Sequence, residues 1–201
     1  MKIGVVDYKA GNLRSIGNLL RYLDADFIIS DRGEELLKCD KLLFPGVGEA
    51  SYAMKQLRSS GLDSMMHEFY KSGKYILGIC LGCQIILEHS EEGDVDCLGL
   101  IPGKVRKFPS GGLKVPEIGW NNIRKLQDNY ILKDIPDNSD VYFVHSYYPD
   151  VESRYGVTET EYMIRFHSMI SCNNVTAAQF HPEKSGPVGI RIMKNFIEYG
   201  A

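Results

Sequence analysis

The apolar positions change their period halfway along the chain. Residues 3–7 begin as a short β-branched run, the pattern of a strand covered on both faces. After Gly11-Asn12, the positions Leu13, Ile16, Leu19, Leu20 and Leu23 recur at three- and four-residue steps and predict an amphipathic helix. Phe27-Ile28-Ile29 and Leu42-Leu43-Phe44 read as the next two strands, the second closed by Pro45-Gly46-Val47-Gly48. Residues 50–71 read as helix broken near Ser59-Ser60-Gly61, residues 75–79 as a fourth buried strand, and residues 81–89 as a helix directly after it. Strand alternating with helix predicts an α/β fold, a mostly parallel central sheet flanked by helices.

Beyond residue 100 the period shortens. Residues 105–108, 120–123, 141–144, 154–160, 163–170 and 176–180 are short strand candidates, separated by turn signals at Gly111-Gly112, Pro136-Asp137-Asn138 and Asn173-Asn174. They predict additional antiparallel strands in the second half. A last helix over 188–199 sets Ile190, Met193, Phe196 and Ile197 on one side. No repeat, low-complexity tract or linker intervenes, so 1–201 is expected to form a single domain.

Composition narrows the function. A chain of 201 residues can bury a substantial core without metal or disulfides. Its 23 basic and 26 acidic residues leave a formal net charge of −3, which predicts no nucleic-acid and no membrane partner. No apolar run approaches the ~18 residues of a membrane span. An acid at Asp7 comes too soon for a secretory leader, and five cysteines make an odd count for a disulfide scaffold. A reduced, cytoplasmic protein is expected.

The strongest chemical signal is Gly78-Ile79-Cys80-Leu81-Gly82, where a buried strand gives way to a helix. A small residue on each side of a nucleophile lets the chain turn sharply and project the side chain from the sheet edge, the logic of a nucleophile elbow. A helix start behind it favours a thiolate and offers N–H groups to an oxyanion. The competing reading is a buried cysteine packing at a strand end. Cys80-x-x-Cys83 also occurs in redox and zinc proteins, but Cys39, Cys97 and Cys172 are scattered and form no second pair. Cys83 is therefore expected to pack beside the elbow, and no metal is expected.

A cysteine nucleophile requires a base, and the base an orienting group. His67 and His89 fall in helical segments, and His167 falls in mid-strand. His181 differs, because Phe180-His181-Pro182-Glu183-Lys184 ends a strand and proline stops the ladder. Glu183 stands two residues on, within reach of the ring, so Cys80, His181 and Glu183 compose a candidate triad. Alone, His-Pro-Glu reads more often as a turn than as a catalytic pair. The glycines of Pro45-Gly46-Val47-Gly48 let backbone amides approach a ligand or reorient.

Gly78-Ile79-Cys80-Leu81-Gly82-Cys83-Gln84 together with Gln179-Phe180-His181-Pro182-Glu183-Lys184-Ser185 resembles the class I (triad) glutamine amidotransferases. Further segments narrow the likeness to the branch formed by the glutaminase subunits of imidazole glycerol phosphate synthases. These are Asp7-Tyr8, Gly11-Asn12-Leu13, Pro45-Gly46-Val47-Gly48, Ile101-Pro102-Gly103, Gly119-Trp120-Asn121 and Tyr142-Phe143-Val144-His145-Ser146-Tyr147. The resemblance spans residues 7 to 185 and implies the family's flavodoxin-like fold. It also implies a glutaminase without cofactor, in which Cys80 attacks L-glutamine, His181 moves the proton and Glu183 orients His181. Backbone N–H groups of Leu81 and, after its loop reorients, Val47 would hold the oxyanion. Gly48, Gln84, Glu92, His145, Ser146 and Tyr147 would line the glutamine site. Asn12, Trp120 and Lys184 would face a separate (βα)8-barrel cyclase subunit that receives the ammonia in a heterodimer.

One segment departs from the family, which usually reads Pro-His-x-Gly-Trp where this chain has Pro116-Glu117-Ile118-Gly119-Trp120. A carboxylate there is expected to change the charge of the partner-facing surface. That leaves open a paralogous subunit feeding another acceptor, such as a surface-polysaccharide sugar, beside a stand-alone γ-glutamyl cysteine hydrolase.

Overall fold

In the computed structural model, which describes residues 1–200, the first half of the chain builds β1 (Ile3–Val6), α1 (Leu13–Tyr22), β2 (Phe27–Ser30), α2 (Gly33–Leu36) and β3 (Lys41–Gly46). It continues through α3 (Ala50–Ser60), α4 (Leu62–Lys71), β4 (Ile76–Cys80) and α5 (Leu81–Ile85). The second half adds β5 (His89–Ser90), β6 (Val95–Asp96), β7 (Lys104–Lys107), β8 (Glu117–Lys125), β9 (Ser139–His145) and β10 (Tyr147–Asp150). Then come β11 (Gly156–Tyr162), β12 (Ile164–Cys172), β13 (Val175–Ala178) and α6 (Gly186–Glu198).

Nine strands form the central sheet in the order β2-β1-β3-β4-β13-β12-β11-β8-β9. The first five run parallel, and from β13 onward every pairing is antiparallel. The sheet is thus mixed, as the change of period predicts. A second sheet, β10-β7-β5-β6, lies beside it.

Alternation along each parallel strand supplies two apolar layers. Leu42 and Phe44 join Met54, Leu57, Met66 and Phe69 of α3 and α4 on one face. Leu43, Leu77 and Ile79 join Ile16, Leu20, Ile192 and Phe196 of α1 and α6 on the other. Each such side chain taken fully from water stabilises the fold by about 1.5–3 kcal/mol.

The break expected near residue 61 is there, with Gly61 left-handed at φ 72° between α3 and α4. The helix after Cys80 is shorter than expected. It ends at Ile85 because the carbonyls of Ile85, Ile86 and Leu87 accept from the N–H groups of Leu98, Leu100 and Gly99, at 2.9, 2.9 and 2.7 Å, instead of from another helical turn. His89 consequently lies in β5, not in a helix, and its ring meets Asp94 and Asp96 at 3.3 and 3.1 Å.

β3 and β4 end side by side, with Gly46 in register with Cys80. β13 pairs with β4 on its other side and leads into residues 179–181. The carboxyl edge of the parallel strands therefore gathers three chain segments that are remote in sequence.

Candidate active site

Cys80 sits at the turn from β4 to α5 with φ 55° and ψ −110°. The turn is possible because a glycine stands two residues away on each side, at 78 and 82. A Cβ on Gly82 would lie 1.8 Å from the Phe44 carbonyl oxygen, and one on Gly78 would lie 3.0 Å from the Gly82 carbonyl oxygen. β4 can thus cross close to α5 and hold the Cys80 side chain at the sheet edge. Its Sγ lies 3.9 Å from the Val144 carbonyl oxygen.

His181 is anchored by its own backbone, whose N–H donates to Tyr142 O at 2.9 Å. Its Nδ1 meets Glu183 Oε1 at 2.8 Å across a buried pair, inside a 3-10 turn that Pro182 opens. Burial by itself would lower the His181 pKa, but hydrogen bonding and charge from Cys80 and Glu183 outweigh it and raise the value to about 10. The ring is thereby kept charged beside Cys80. Tyr8 packs on β3: its ring lies 5.2 Å from that of Phe44, and a Cβ on Gly46 would come within 2.0 Å of its hydroxyl. Burial first, and then Cys80, push the Tyr8 phenol far above its ordinary value.

Cys80 and His181 open into a cavity of about 290 Å³, lined also by Val47, Gly48, Leu81, Gln84, Glu92, His145, Ser146, Tyr147 and Lys184. The structure thus gathers here residues from five separate segments of the sequence. Leu81 begins α5, so its N–H has no partner within the helix. The Val47 N–H is engaged elsewhere, donating to Ala10 O at 2.8 Å, and reaches the cavity only if that loop turns. Glu92 Oε2 accepts from Ala50 N at 2.9 Å and so caps α3, while burial raises its pKa. The Gln84 Nε2 group donates to Tyr147 O and to Gln179 Oε1, both at 3.0 Å. Cys83 is fully buried with its thiol pushed far up in pKa, by burial first, and is not bonded to Cys80.

Glu117 overturns the expectation drawn from sequence. It faces inward, is only 3% exposed, and meets His145 Nε2 at 2.9 Å through Oε2 and Asn121 Nδ2 at 2.9 Å through Oε1. In β8 the alternation turns Ile118 outward instead, and the main chain then brings Trp120 to the surface, each 58% exposed. Trp120 stands edge-on to Tyr142, whose ring also lies 5.8 Å from the Lys184 ammonium. Trp120 and Lys184 thus share one surface, and Asn12 stands at the start of α1. Motif reading assigns no site role to Glu117 or to Gln179, which the fold brings to His145 and to Gln84. The position of Gln179, two residues before His181, is the one local signal for either of them.

Among the described residues no three His, Cys, Asp or Glu side chains gather to hold a metal, and no helix is long and apolar enough to cross a membrane.

Residues 5–199 match the family described as glutamine amidotransferase class-I. The chain is 46% identical to the imidazole glycerol phosphate synthase subunit HisH of Methanosarcina mazei, over 98% of each protein. It is 41% identical to the same-named protein of Chlorobaculum tepidum, over 97% of this chain and 98% of that one. Among solved structures, a glutamine amidotransferase superposes with TM-score 0.77 at 18% identity, covering 98% of this chain and 97% of the other. PurLQS from Thermotoga maritima does so with TM-score 0.74 at 16% identity, over 98% of both. These two likenesses concern the fold.

Proposed function

The chain belongs to the class I glutamine amidotransferase family, and from that premise we propose that it is the glutaminase subunit of an imidazole glycerol phosphate synthase. It hydrolyses L-glutamine to glutamate and ammonia for a cyclase partner. The observation that carries this reading is one cavity that holds Cys80 and the Glu183-bound His181 beside Gln84, Glu92 and Tyr147.

The chemistry follows from that arrangement. The Cys80 thiolate adds to the side-chain amide carbon of glutamine, and the amide oxygen becomes an oxyanion. Leu81 N–H stabilises it, joined by Val47 N–H once that group leaves Ala10 O. His181, charged and held by Glu183, gives its proton to the nitrogen as the C–N bond breaks and ammonia departs. The neutral ring then takes a proton from water, which adds to the glutamyl thioester. Collapse of that second adduct returns the thiolate and releases glutamate. Glu92 supplies a carboxylate for the substrate ammonium, and Gly48, His145, Ser146 and Tyr147 complete the wall.

The partner is a (βα)8-barrel cyclase that covers the cavity through Trp120, Lys184 and Asn12 and takes the ammonia through its interior, with no nucleic acid, membrane or cofactor involved. Because Glu117 is buried, the carboxylate leaves the outward charge of β8 unchanged, and that reason for seeking another acceptor falls away. Five free cysteines support a reducing, cytoplasmic setting.

The test is glutamate release from glutamine by the purified chain, alone and with the same organism's histidine-pathway cyclase and its ribonucleotide. Slow release alone and strong stimulation in the mixture are expected. Turnover indifferent to the cyclase would overturn the partner. No release in either condition, together with no labelling of Cys80 by a glutamine-shaped electrophile, would overturn the glutaminase.

A further inference from the structure

The polar contacts behind the cavity form one chain. Glu117 Oε2 meets His145 Nε2 at 2.9 Å, and His145 Nδ1 meets Tyr147 O at 2.8 Å. The same carbonyl accepts from Gln84 Nε2 at 3.0 Å, and that nitrogen also reaches Gln179 Oε1. Glu117, His145, Gln84 and Gln179 are all buried, with Gln179 fully so. The rings of Phe108, Phe143 and Phe166 stand 5.2–5.4 Å from that of His145, and among the described residues its polar contacts are the two named.

Donor and acceptor rules leave this chain one arrangement. A carbonyl only accepts, so His145 Nδ1 carries a proton and Gln84 presents its NH2 to Tyr147. The second N–H of Gln84 then goes to Gln179, whose oxygen must face it. What remains is Gln84 Oε1, an acceptor with no partner among the described residues, on a residue that lines the cavity. Glu117 at the Nε2 end and the Tyr147 carbonyl at the Nδ1 end together fix how the ring lies. Without the Glu117 contact no polar group holds the Nε2 end, and the ring is free to turn away from Tyr147 O.

We infer that Glu117 is a positioning residue for glutamine: through His145 it holds the Tyr147 carbonyl, which in turn fixes the oxygen end of the Gln84 amide toward the substrate. The inference rests on the glutaminase reading. Glu117 touches no substrate, and its effect falls on KM more than on kcat.

The experiment measures steady-state glutaminase kinetics of the complex with its cyclase and ribonucleotide for wild type, Glu117→Leu, Glu117→Asp and Glu117→Gln. Leu removes the contact at Nε2. Asp keeps the charge but draws back by one methylene, and serves if Glu117→Leu does not fold. Both are expected to raise the glutamine KM about tenfold, the equivalent of one lost hydrogen bond, with kcat within about twofold. In Glu117→Gln the amide oxygen keeps Asn121 and the NH2 faces Nε2, so the ring proton stays on Nδ1 and KM returns to within about threefold of wild type. In parallel, labelling of Cys80 by a glutamine-shaped electrophile should slow in Glu117→Asp, while labelling by iodoacetamide should not. An unmoved KM in Glu117→Asp, or a KM in Glu117→Gln as high as in Glu117→Asp, overturns the inference. A wild-type complex without glutaminase activity overturns the reading beneath it instead.

Discussion

At Cys80, φ 55° and ψ −110° place a non-glycine residue in a region that costs about 1–3 kcal/mol. The strain is held by the packing of Gly82 on Phe44 and serves to present the thiol. Cys80→Gly should therefore be more stable than Cys80→Ala by about that amount, while both lose glutamine turnover by about 10⁴-fold or more. Thermal melting and glutamate release check the two halves. His181 offers a pH signature. With its pKa raised to about 10, the ring holds its proton through neutral pH and loses it as pH rises through about 10. Turnover that needs His181 as an acid should persist to pH 9 and then decline. NMR of the ring's carbon-bound protons should show the midpoint falling in Cys80→Ala, since Cys80 is one of the groups that raise it. An unchanged midpoint would contradict the assigned cause.

Among the elements, α5 and α6 show how local pattern yields to distant partners. α5 begins where the glycines permit and ends where residues 97–100 take its last carbonyls. Gly82→Ala should be among the most damaging single-methyl additions in the chain, costing over ~3 kcal/mol, because its Cβ would enter backbone and not a movable side chain. Denaturant unfolding measures that. α6 ends on Lys41, a buried lysine of β3 whose ammonium donates to the carbonyls of Phe196, Ile197 and Tyr199. Lys41→Met keeps the length of the side chain but leaves those acceptors unpaired. It should cost about 1–3 kcal/mol without altering the glutamine KM.

In the whole molecule, the parallel strands deliver Cys80 and residues 179–181 to one edge, and the antiparallel extension delivers His145, Glu117 and Trp120 beside them. If Trp120 anchors the cyclase, Trp120→Ala should weaken the complex by about 2 kcal/mol or more while leaving iodoacetamide labelling of Cys80 intact. Titration calorimetry with the partner checks this. The strand–helix alternation, the break at Gly61 and the sharp turn at Cys80 were legible in the sequence because each rests on local causes, contiguous burial or a missing Cβ. His181 and Glu183 were legible as a pair for the same reason, since only Pro182 separates them. Other features depend on groups far away in the chain: the end of α5 on residues 97–100, the Val47 N–H turned to Ala10, and Glu117 turned inward to His145. A hydrogen-bond donor takes whichever acceptor the fold brings near it, and a strand residue's face depends on its register, so these were decided only by tertiary structure.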